Sequence, residues 1–273
     1  MRKLAVAVVV LVLIGVGLVR LWDHLNGQLQ GLLPQADECT AIVDGHSVSL
    51  STEQSENAAL ISAIAVQRGL PAHAATIALA TAMQESKLVN LDGGDRDSLG
   101  LFQQRPSQGW GRPKQIMNPV YATNRFYDAL VHVPNYDGLP VTEAAQDVQH
   151  SAYANAYAQH ESDARALASA LTGYSPHALG CQYGTPKAGR GRPVALGRQL
   201  GRYFPGTPVV RGHGVTMHAE SRAEGWAIAQ FAAAQGQRYG VESITYAGWR
   251  WSTGDDRWHH SSTRLATVSV TLA

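Results

Sequence analysis

The chain has 273 residues, a formal net charge of +1 at pH 7, and 45% hydrophobic against 16% charged residues. Because its length exceeds the roughly 100 to 200 residues of an average domain, we expect one medium-sized domain and a smaller one. The composition is too apolar for an intrinsically disordered protein, and the balanced charge excludes a dedicated nucleic-acid-binding protein, so no nucleic acid is expected among the partners.

The amino terminus has the pattern of a membrane-targeting segment. Arg2 and Lys3 give it a basic start, and residues 4–19 form an apolar run. The run is slightly shorter than the ~20 residues that span a bilayer, but Trp22 at its end suits a membrane interface. We predict a single-pass signal anchor at residues 1–22, with the rest of the chain outside the cytoplasm. Secretion after cleavage is the alternative.

Two cysteines occur in the chain, Cys39 and Cys181. They are too few for a zinc finger or a disulfide-rich mini-protein. One precedes the first long helical pattern and the other follows the last helix of the central region, so a bridge would join the two ends of one domain. An oxidising location outside the cytoplasm would preserve such a bridge. We predict the disulfide, and two free buried thiols are the alternative.

Residues 51–183 have the pattern of a mainly α domain that follows a stalk at residues 23–50. No convincing alternation of apolar and polar residues, the signature of a half-buried strand, occurs between residues 51 and 171. Ser51 and Gln54 form a capping-box pattern at the first helix start. The helical patterns cover residues 51–69, 71–85, 121–131, 142–151 and 157–171.

The carboxy-terminal part has a different composition. Residues 184–214 are rich in Gly and Pro and hold six Lys or Arg side chains and no acidic one, which is typical of a linker. Such a basic segment would attract anionic wall polymers or lipid headgroups, and a solvated tether is the alternative. Residues 215–273 are predicted to form a small α+β module. Its helix is expected at residues 223–239 and its strands at 242–246, 249–252 and 265–272.

Glu85 ends the second predicted helix on its buried side, and a long polar loop at residues 90–113 follows. A partly buried carboxyl group has a raised pKa and holds a proton near neutral pH, as the general acid of a glycosidase must. A solvated glutamate at a helix end is the alternative. The acidic residues of the loop offer either a second catalytic carboxylate or hydrogen bonds to their own turn. They are Asp92, Asp95 and Asp97.

Two short motifs lie at an informative spacing around Glu85. AMQES at residues 82–86 is followed by SLGLFQ at residues 98–103. This pair resembles the lysozyme-like lytic transglycosylase family, in which Glu-Ser is followed by Gly-Leu-Met-Gln, with Phe102 here in place of Met. The resemblance covers roughly residues 51–171. Within it, the run LGLFQQRPSQGWG at residues 99–111 is similar to a version found in actinobacterial surface proteins.

The resemblance implies a peptidoglycan glycan-strand cleaving enzyme. Glu85 would protonate the glycosidic oxygen between N-acetylmuramic acid and N-acetylglucosamine. Ser98 and Gln103 would bind the glycan strand, as would Tyr153, which lies in a loose match to the third signature of the family at residues 151–155. A lytic transglycosylase needs one carboxyl group and a lysozyme-type hydrolase two, so the single predicted acid favours the transglycosylase.

We expect neither a cofactor nor a metal for this reaction. The alternative function is a non-catalytic peptidoglycan-binding or envelope-assembly protein on a lysozyme-like scaffold. The peptidoglycan glycan strand is the expected partner in both cases, together with the membrane through the N-terminal segment.

The carboxy-terminal module resembles the second half of M15-type D-Ala-D-Ala carboxypeptidases around GWAIA at residues 225–229. That family takes zinc ligands from a His-x-His pair in its closing strand, whereas residues 265–270 here contain no histidine. We therefore predict a non-catalytic module for wall binding or assembly. Four histidines nearby are interpreted as surface residues in preference to zinc ligands: His213, His218, His259 and His260.

Overall fold

The computed structural model of the protein describes Arg20, Trp22 and residues 37–149, 156–184, 189–262 and 266–273. Asp37–Ala273 forms one compact unit, distinct from Met1–Ala36. Apart from the helical Arg20 and Trp22, the predicted signal anchor and the first part of the predicted stalk lie outside the described residues. Among the residues that are described, no helix is long and apolar enough to cross a membrane.

A three-stranded antiparallel sheet joins the two ends of the helical region. Its strands, in the order β2-β1-β3, are β1 (Glu38–Val43), β2 (His46–Ser51) and β3 (Leu179–Gln182). Asp44 and Gly45 form the tight turn between β1 and β2, with left-handed φ values of 50° and 82°. Cys39 of β1 lies opposite Cys181 of β3, and their disulfide confirms the predicted bridge.

Between β2 and β3 the described residues form six α-helices. They are α1 (Thr52–Gln67), α2 (Ala72–Ser86), α3 (Pro113–Ile116), α4 (Pro119–Leu130), α5 (Val141–Gln149) and α6 (Glu161–Leu171). The predicted capping box is present, because the Gln54 N–H donates to the Ser51 hydroxyl group and the Ser51 N–H donates to Gln54 Oε1. Helix α2 packs against α1, α5 and α6. Its residues 74–82 are buried, and residues 83–85 are half-buried.

A six-stranded antiparallel sheet lies in the carboxy-terminal part of the chain. Its strands, in the order β4-β5-β9-β6-β7-β8, are β4 (Val209–Arg211), β5 (Gly214–His218), β6 (Val241–Tyr246), β7 (Trp249–Ser252), β8 (His259–His260) and β9 (Thr267–Leu272). The helices described here are α7 (Pro193–Tyr203), α8 (Arg222–Ala234) and α9 (Gly236–Tyr239). Helix α8 packs against β6 and β9 of this sheet and also against α1, α6 and β3.

The expectation of a mainly α fold is wrong, because the chain builds antiparallel sheets of three and six strands. Strand β3 consists of four residues, LGCQ, of which the first three are buried. So short an apolar segment shows no alternation, and its strand conformation follows from pairing with β1, far away in the sequence. Residues 193–203 and 209–211, in the segment predicted to be a linker, form α7 and β4.

One buried core extends through the helical region and the carboxy-terminal part. Gln230 of α8 joins the two: its Oε1 accepts hydrogen bonds from the N–H groups of Ala178 and Leu179, at 2.9 and 2.7 Å. Its Nε2 donates to the Ala170 carbonyl group at 2.6 Å. Gly173 permits this approach, because a Cβ atom there would overlap with the backbone at the start of α8.

Candidate active site

Glu85 lies in the last turn of α2. The helix ends at Lys87, which is left-handed with a φ of 54°, and the N–H groups of Lys87 and Leu88 donate to the carbonyl groups of Met83 and Ala82. These bonds satisfy the last carbonyl groups of the helix and stop it directly after the Glu-Ser pair. The Glu85 side chain is half-buried.

The carboxyl group of Glu85 is held by a tyrosine. The hydroxyl group of Tyr157, a fully buried residue, donates a hydrogen bond to Glu85 Oε1 at 2.9 Å. Burial raises the pKa of Glu85, and hydrogen bonds from Tyr157 and Gln149 lower it by less. The net pKa is therefore above the ordinary value, because a poorly solvated site disfavours the ionised form. This is the direction that a general acid requires.

The two sequence motifs meet at Ser86. Its hydroxyl group lies 2.7 Å from the Leu101 carbonyl oxygen and 3.0 Å from that of Ala82, one turn earlier in α2. Ser86 is buried, so the contact with Leu101 is shielded from water. Residues 98–103 are thereby fixed against the helix end that carries Glu85.

Gln149, the last residue of α5, connects the same loop to Glu85. Its Nε2 donates to the Phe102 carbonyl group at 2.8 Å, and its side chain also hydrogen-bonds Glu85. The Phe102 ring is fully buried and stacks on Phe126, with ring centroids 4.6 Å apart. Phe102 therefore anchors the loop in the core, as an apolar residue at this place in the motif should.

The residues predicted to bind the glycan strand differ in their contacts and exposure. Gln103, with a left-handed φ of 46°, donates from Nε2 to the carbonyl groups of Gly93 and Gly100 at 3.4 and 3.3 Å. Ser98 is buried, with 7% of its surface exposed. Tyr153 lies outside the described residues. Gln103 is thus engaged within its own loop, and Ser98 offers little surface to a ligand.

Asp97 stabilises the loop. Its carboxylate accepts hydrogen bonds from the Ser107 N–H at 2.8 Å, the Ser107 hydroxyl group at 3.0 Å and Arg105 Nε at 2.7 Å. These bonds hold the pKa of Asp97 far below its usual range. Asp92 and Asp95 are exposed. Asp97 therefore stabilises its own loop through hydrogen bonds, which is one of the two roles considered for the acidic residues of the loop, the other being a second catalytic carboxylate.

An open cavity of about 720 Å³ adjoins the site through Gln149. Besides Gln149, the side chains that line the cavity include Trp110, Arg125, Asp128, His132 and Asp147, and the described lining does not include Glu85. An aromatic ring beside several charged and hydrogen-bonding groups is suited to binding a sugar chain.

Sequence reasoning missed Tyr157 and Gln149. Each lies in or beside a stretch predicted to be helical, and no local pattern marks either as a neighbour of Glu85. Only the spacing of an aromatic residue before α6 could have suggested Tyr157, and that spacing is equally typical of core residues.

Two of the histidines interpreted as surface residues, His259 and His260, contact neighbouring protein side chains. His259 Nε2 lies 2.5 Å from Asp255 Oδ2. The His260 ring lies against Trp249, with centroids 4.0 Å apart, and His177 stacks on Trp249 at 3.9 Å. Among the described residues, no group of three or more His, Cys, Asp or Glu side chains is arranged to hold a metal ion.

Comparison with protein-family models finds no match for this chain, and a search of curated proteins finds no significant relative.

Proposed function

We propose that the protein cleaves the glycan strands of peptidoglycan at the cell surface, with Glu85 as the general acid. The observation that carries the proposal is the 2.7 Å contact between the Ser86 hydroxyl group and the Leu101 carbonyl oxygen. This contact holds the loop at residues 98–103, which we expect to bind the glycan strand, against the helix end that carries Glu85. Cleavage needs the bound glycan and the proton donor at one place. The raised pKa of Glu85 supports the same role.

The proposed reaction uses one carboxyl group. Protonated Glu85 donates its proton to the glycosidic oxygen, and the bond between that oxygen and C1 of the muramic acid breaks. The C6 hydroxyl oxygen of the same sugar bonds to C1 and returns its proton to the Glu85 carboxylate, which closes an anhydro ring. Tyr157 acts as a positioning residue, because its hydroxyl group fixes Glu85 Oε1.

A lysozyme-type hydrolase would need a second carboxylate to act as nucleophile or base. Asp97 is poorly suited to either task, since Arg105 and Ser107 occupy its two oxygens. Its lowered pKa also makes it a weak base. We therefore favour the transglycosylase reaction over hydrolysis.

The second candidate is a non-catalytic peptidoglycan-binding or envelope-assembly protein. The side-chain amide nitrogen of Gln103 donates hydrogen bonds to the carbonyl groups of Gly93 and Gly100. A glutamine held within its own loop in this way favours a structural role for the loop over contact with a substrate. Both candidates place the chain outside the cytoplasm, tethered through its N-terminal segment. The glycan strand is the partner in both.

The test is to incubate the oxidised full chain with purified cell-wall sacculi and to identify the released fragments by mass spectrometry. Glu85→Gln is the matched control, because it keeps the size and the acceptor oxygen of the side chain but cannot donate a carboxyl proton. Binding of both proteins to the sacculi is measured by sedimentation in the same samples.

Release of anhydro-muropeptides by the parent and not by Glu85→Gln would support the transglycosylase. Hydrated reducing ends would replace it with a hydrolase that uses another base. Absence of release, with binding intact in both proteins, would leave the non-catalytic candidate.

A further inference from the structure

A second cavity lies where α1, α4, α7, α8 and α9 meet, and we call it the five-helix cavity. Its volume is about 190 Å³. None of the described residues that line it belongs to the candidate active site or to the cavity beside Gln149. Since a water molecule takes up about 30 Å³ in the liquid, the space suits a ligand of about six to ten non-hydrogen atoms.

Hydrogen bonds between helices hold the walls of the five-helix cavity together. Gln67 of α1 donates from Nε2 to the Arg202 carbonyl group of α7 at 2.7 Å. Gln235, between α8 and α9, donates from Nε2 to the Glu56 carbonyl group of α1 at 3.0 Å. Because both acceptors are backbone groups, the Arg202 side chain can be replaced without breaking either bond.

Part of the lining is apolar. Leu60 of α1, Val120 of α4 and Phe231 of α8 contribute hydrocarbon side chains. The ring of Phe231 packs against that of Tyr203, with centroids 5.9 Å apart. A ligand with a short apolar body would gain free energy by leaving water for these side chains.

The hydroxyl group of Tyr203, which also lines the cavity, is poorly satisfied. Only 2% of the residue is exposed, and no described group forms a well-directed hydrogen bond with its oxygen. Burial raises the pKa of Tyr203, and the nearby Arg202 lowers it by less, so the phenol keeps its proton at neutral pH. A guanidinium group cannot accept that proton in a hydrogen bond. The phenol is therefore a buried donor in need of an acceptor.

The charges around the cavity leave one cation over. Glu56 is the acidic residue of the described lining, and it pairs with Arg238 at 3.3 Å. Arg202, the other lining arginine, forms no ion pair with any residue that the structure describes. One glutamate against two arginines leaves a single positive charge, and a ligand with one negative charge would balance it.

We infer that the five-helix cavity binds a small organic monocarboxylate with a short apolar body. The Arg202 guanidinium group pairs with a carboxylate through two parallel hydrogen bonds, and the Tyr203 hydroxyl group donates a third. The apolar body packs against Leu60, Val120 and Phe231. A phosphate ion would use the donors but would leave these apolar side chains without a contact.

The test measures binding to the oxidised full chain by isothermal titration calorimetry, without glycan, so it is independent of turnover at Glu85. The probes are isovalerate and benzoate, which join a carboxylate to a short apolar body. Acetate keeps the carboxylate without that body. Isovaleramide keeps the body without the charge, and inorganic phosphate offers a different anion.

We expect saturable binding of isovalerate and benzoate at millimolar concentrations or below, and binding of the three comparison compounds that is weaker by about tenfold or more. Arg202→Gln should weaken binding of isovalerate roughly 10-fold to 100-fold, because it removes a charged pair of donors. Tyr203→Phe should weaken it about fivefold. Arg198→Gln is the matched control, since Arg198 is an exposed residue of α7 outside the lining, and it should leave the affinity unchanged.

Several results would overturn the inference. One is the absence of saturable binding of isovalerate and benzoate at millimolar concentrations. Another is an equal affinity of the parent and Arg202→Gln, or an equal loss in Arg202→Gln and Arg198→Gln, which would reflect net charge alone. Tighter binding of phosphate than of isovalerate would assign the cavity to an inorganic anion. If Arg202→Gln does not fold, Tyr203→Phe decides, because it removes one oxygen atom, and an affinity equal to that of the parent would contradict the inference.

Discussion

The carboxyl group of Glu85 lies between a buried helix end and a phenol, and the two act on its pKa in opposite directions. Burial raises the pKa, and the hydrogen bond from Tyr157 lowers it by less. The proton consequently stays on Glu85 to a higher pH than on a solvated glutamate. Removing either influence should therefore move the pH dependence of the site in a defined direction.

Tyr157→Phe removes the hydrogen bond that favours the ionised form of Glu85. We expect the basic limb of the pH–rate profile for glycan cleavage to move to higher pH, and the protein to lose about 1 to 2 kcal/mol of stability. Tyr127→Phe is the control, because its buried hydroxyl group donates to the Ile61 carbonyl group. It should lower stability without moving the profile. An unmoved profile in Tyr157→Phe would contradict the role given to Tyr157.

Glu85→Gln tests the raised pKa through stability. A folded-state pKa above the ordinary 4.5 means that the folded protein favours the protonated acid. The stability from this preference is complete below pH 4.5 and is lost as the pH rises through the folded pKa. Glu85→Gln should therefore be more stable than the parent at neutral pH, and the difference should vanish in acid. Urea unfolding of both proteins on either side of this range measures it, and a difference independent of pH would speak against the raised pKa.

Ser86→Ala removes the contact that joins the two motifs. Because the buried Leu101 carbonyl group would lose its partner, we expect a loss of about 1 to 3 kcal/mol in stability. Glycan cleavage should also fall steeply. Ser62→Ala is the control, since the buried Ser62 hydroxyl group donates to the Ala58 carbonyl group within α1. An equal loss of activity in both variants would contradict a specific role of the contact between Ser86 and Leu101 in glycan cleavage.

At the scale of elements, the disulfide and the first sheet depend on each other. Cys39 and Cys181 are paired residues of neighbouring strands, separated by 142 positions in the chain. The bridge thus closes a loop that contains all of α1 to α6. It restricts the conformations of the unfolded chain. In the folded protein it also joins β1 and β3, the strands at which the helical region begins and ends.

Removal of this disulfide should be costly. For so long a loop we expect the Cys39→Ser, Cys181→Ser double variant to lose roughly 4 to 5 kcal/mol in the free energy of unfolding. Denaturant unfolding with and without reductant measures the effect, and reductant should change the parent but not the double variant. An unchanged parent after reduction would show that the sheet alone holds the two strands together.

At the scale of the whole molecule, the helical region and the carboxy-terminal part share one core. Gln230 is fully buried and hydrogen-bonds Ala178, Leu179 and Ala170 from α8. The ring nitrogen of Trp258 donates to the Leu179 carbonyl group at 2.8 Å. Neither part can separate from the other without leaving these polar groups unpaired in an apolar interior.

We therefore expect Asp37–Ala273 to unfold as one cooperative unit, with Gln230→Leu costing about 2 to 4 kcal/mol. Native-state hydrogen exchange should show amide protection in α2 and in β6 falling together in this variant. Lost protection in β6 alone would instead mean that residues 215–273 fold independently, as the module boundary drawn from the sequence implies.

The sequence predicted most of the local elements. The capping box at Ser51 and the strand at Trp249–Ser252 both occur as expected. Each depends on contacts within a few residues, so a short window of sequence contains the information needed. The placement of Glu85 at the end of a buried helix follows from the same local rules.

Only the tertiary structure decided how these elements meet. The mainly α expectation failed because β3 becomes a strand by pairing with β1, and the linker prediction could not foresee that α7 buries Leu196 and Leu200. Likewise Tyr157 reaches Glu85 across 72 positions. The sequence by itself determined five helices between residues 51 and 171 and the place of Glu85 at a helix end, because these follow from neighbouring residues. The raised pKa of Glu85, its hydrogen-bond partners and the two sheets arise between distant residues, and only the folded chain brings those together.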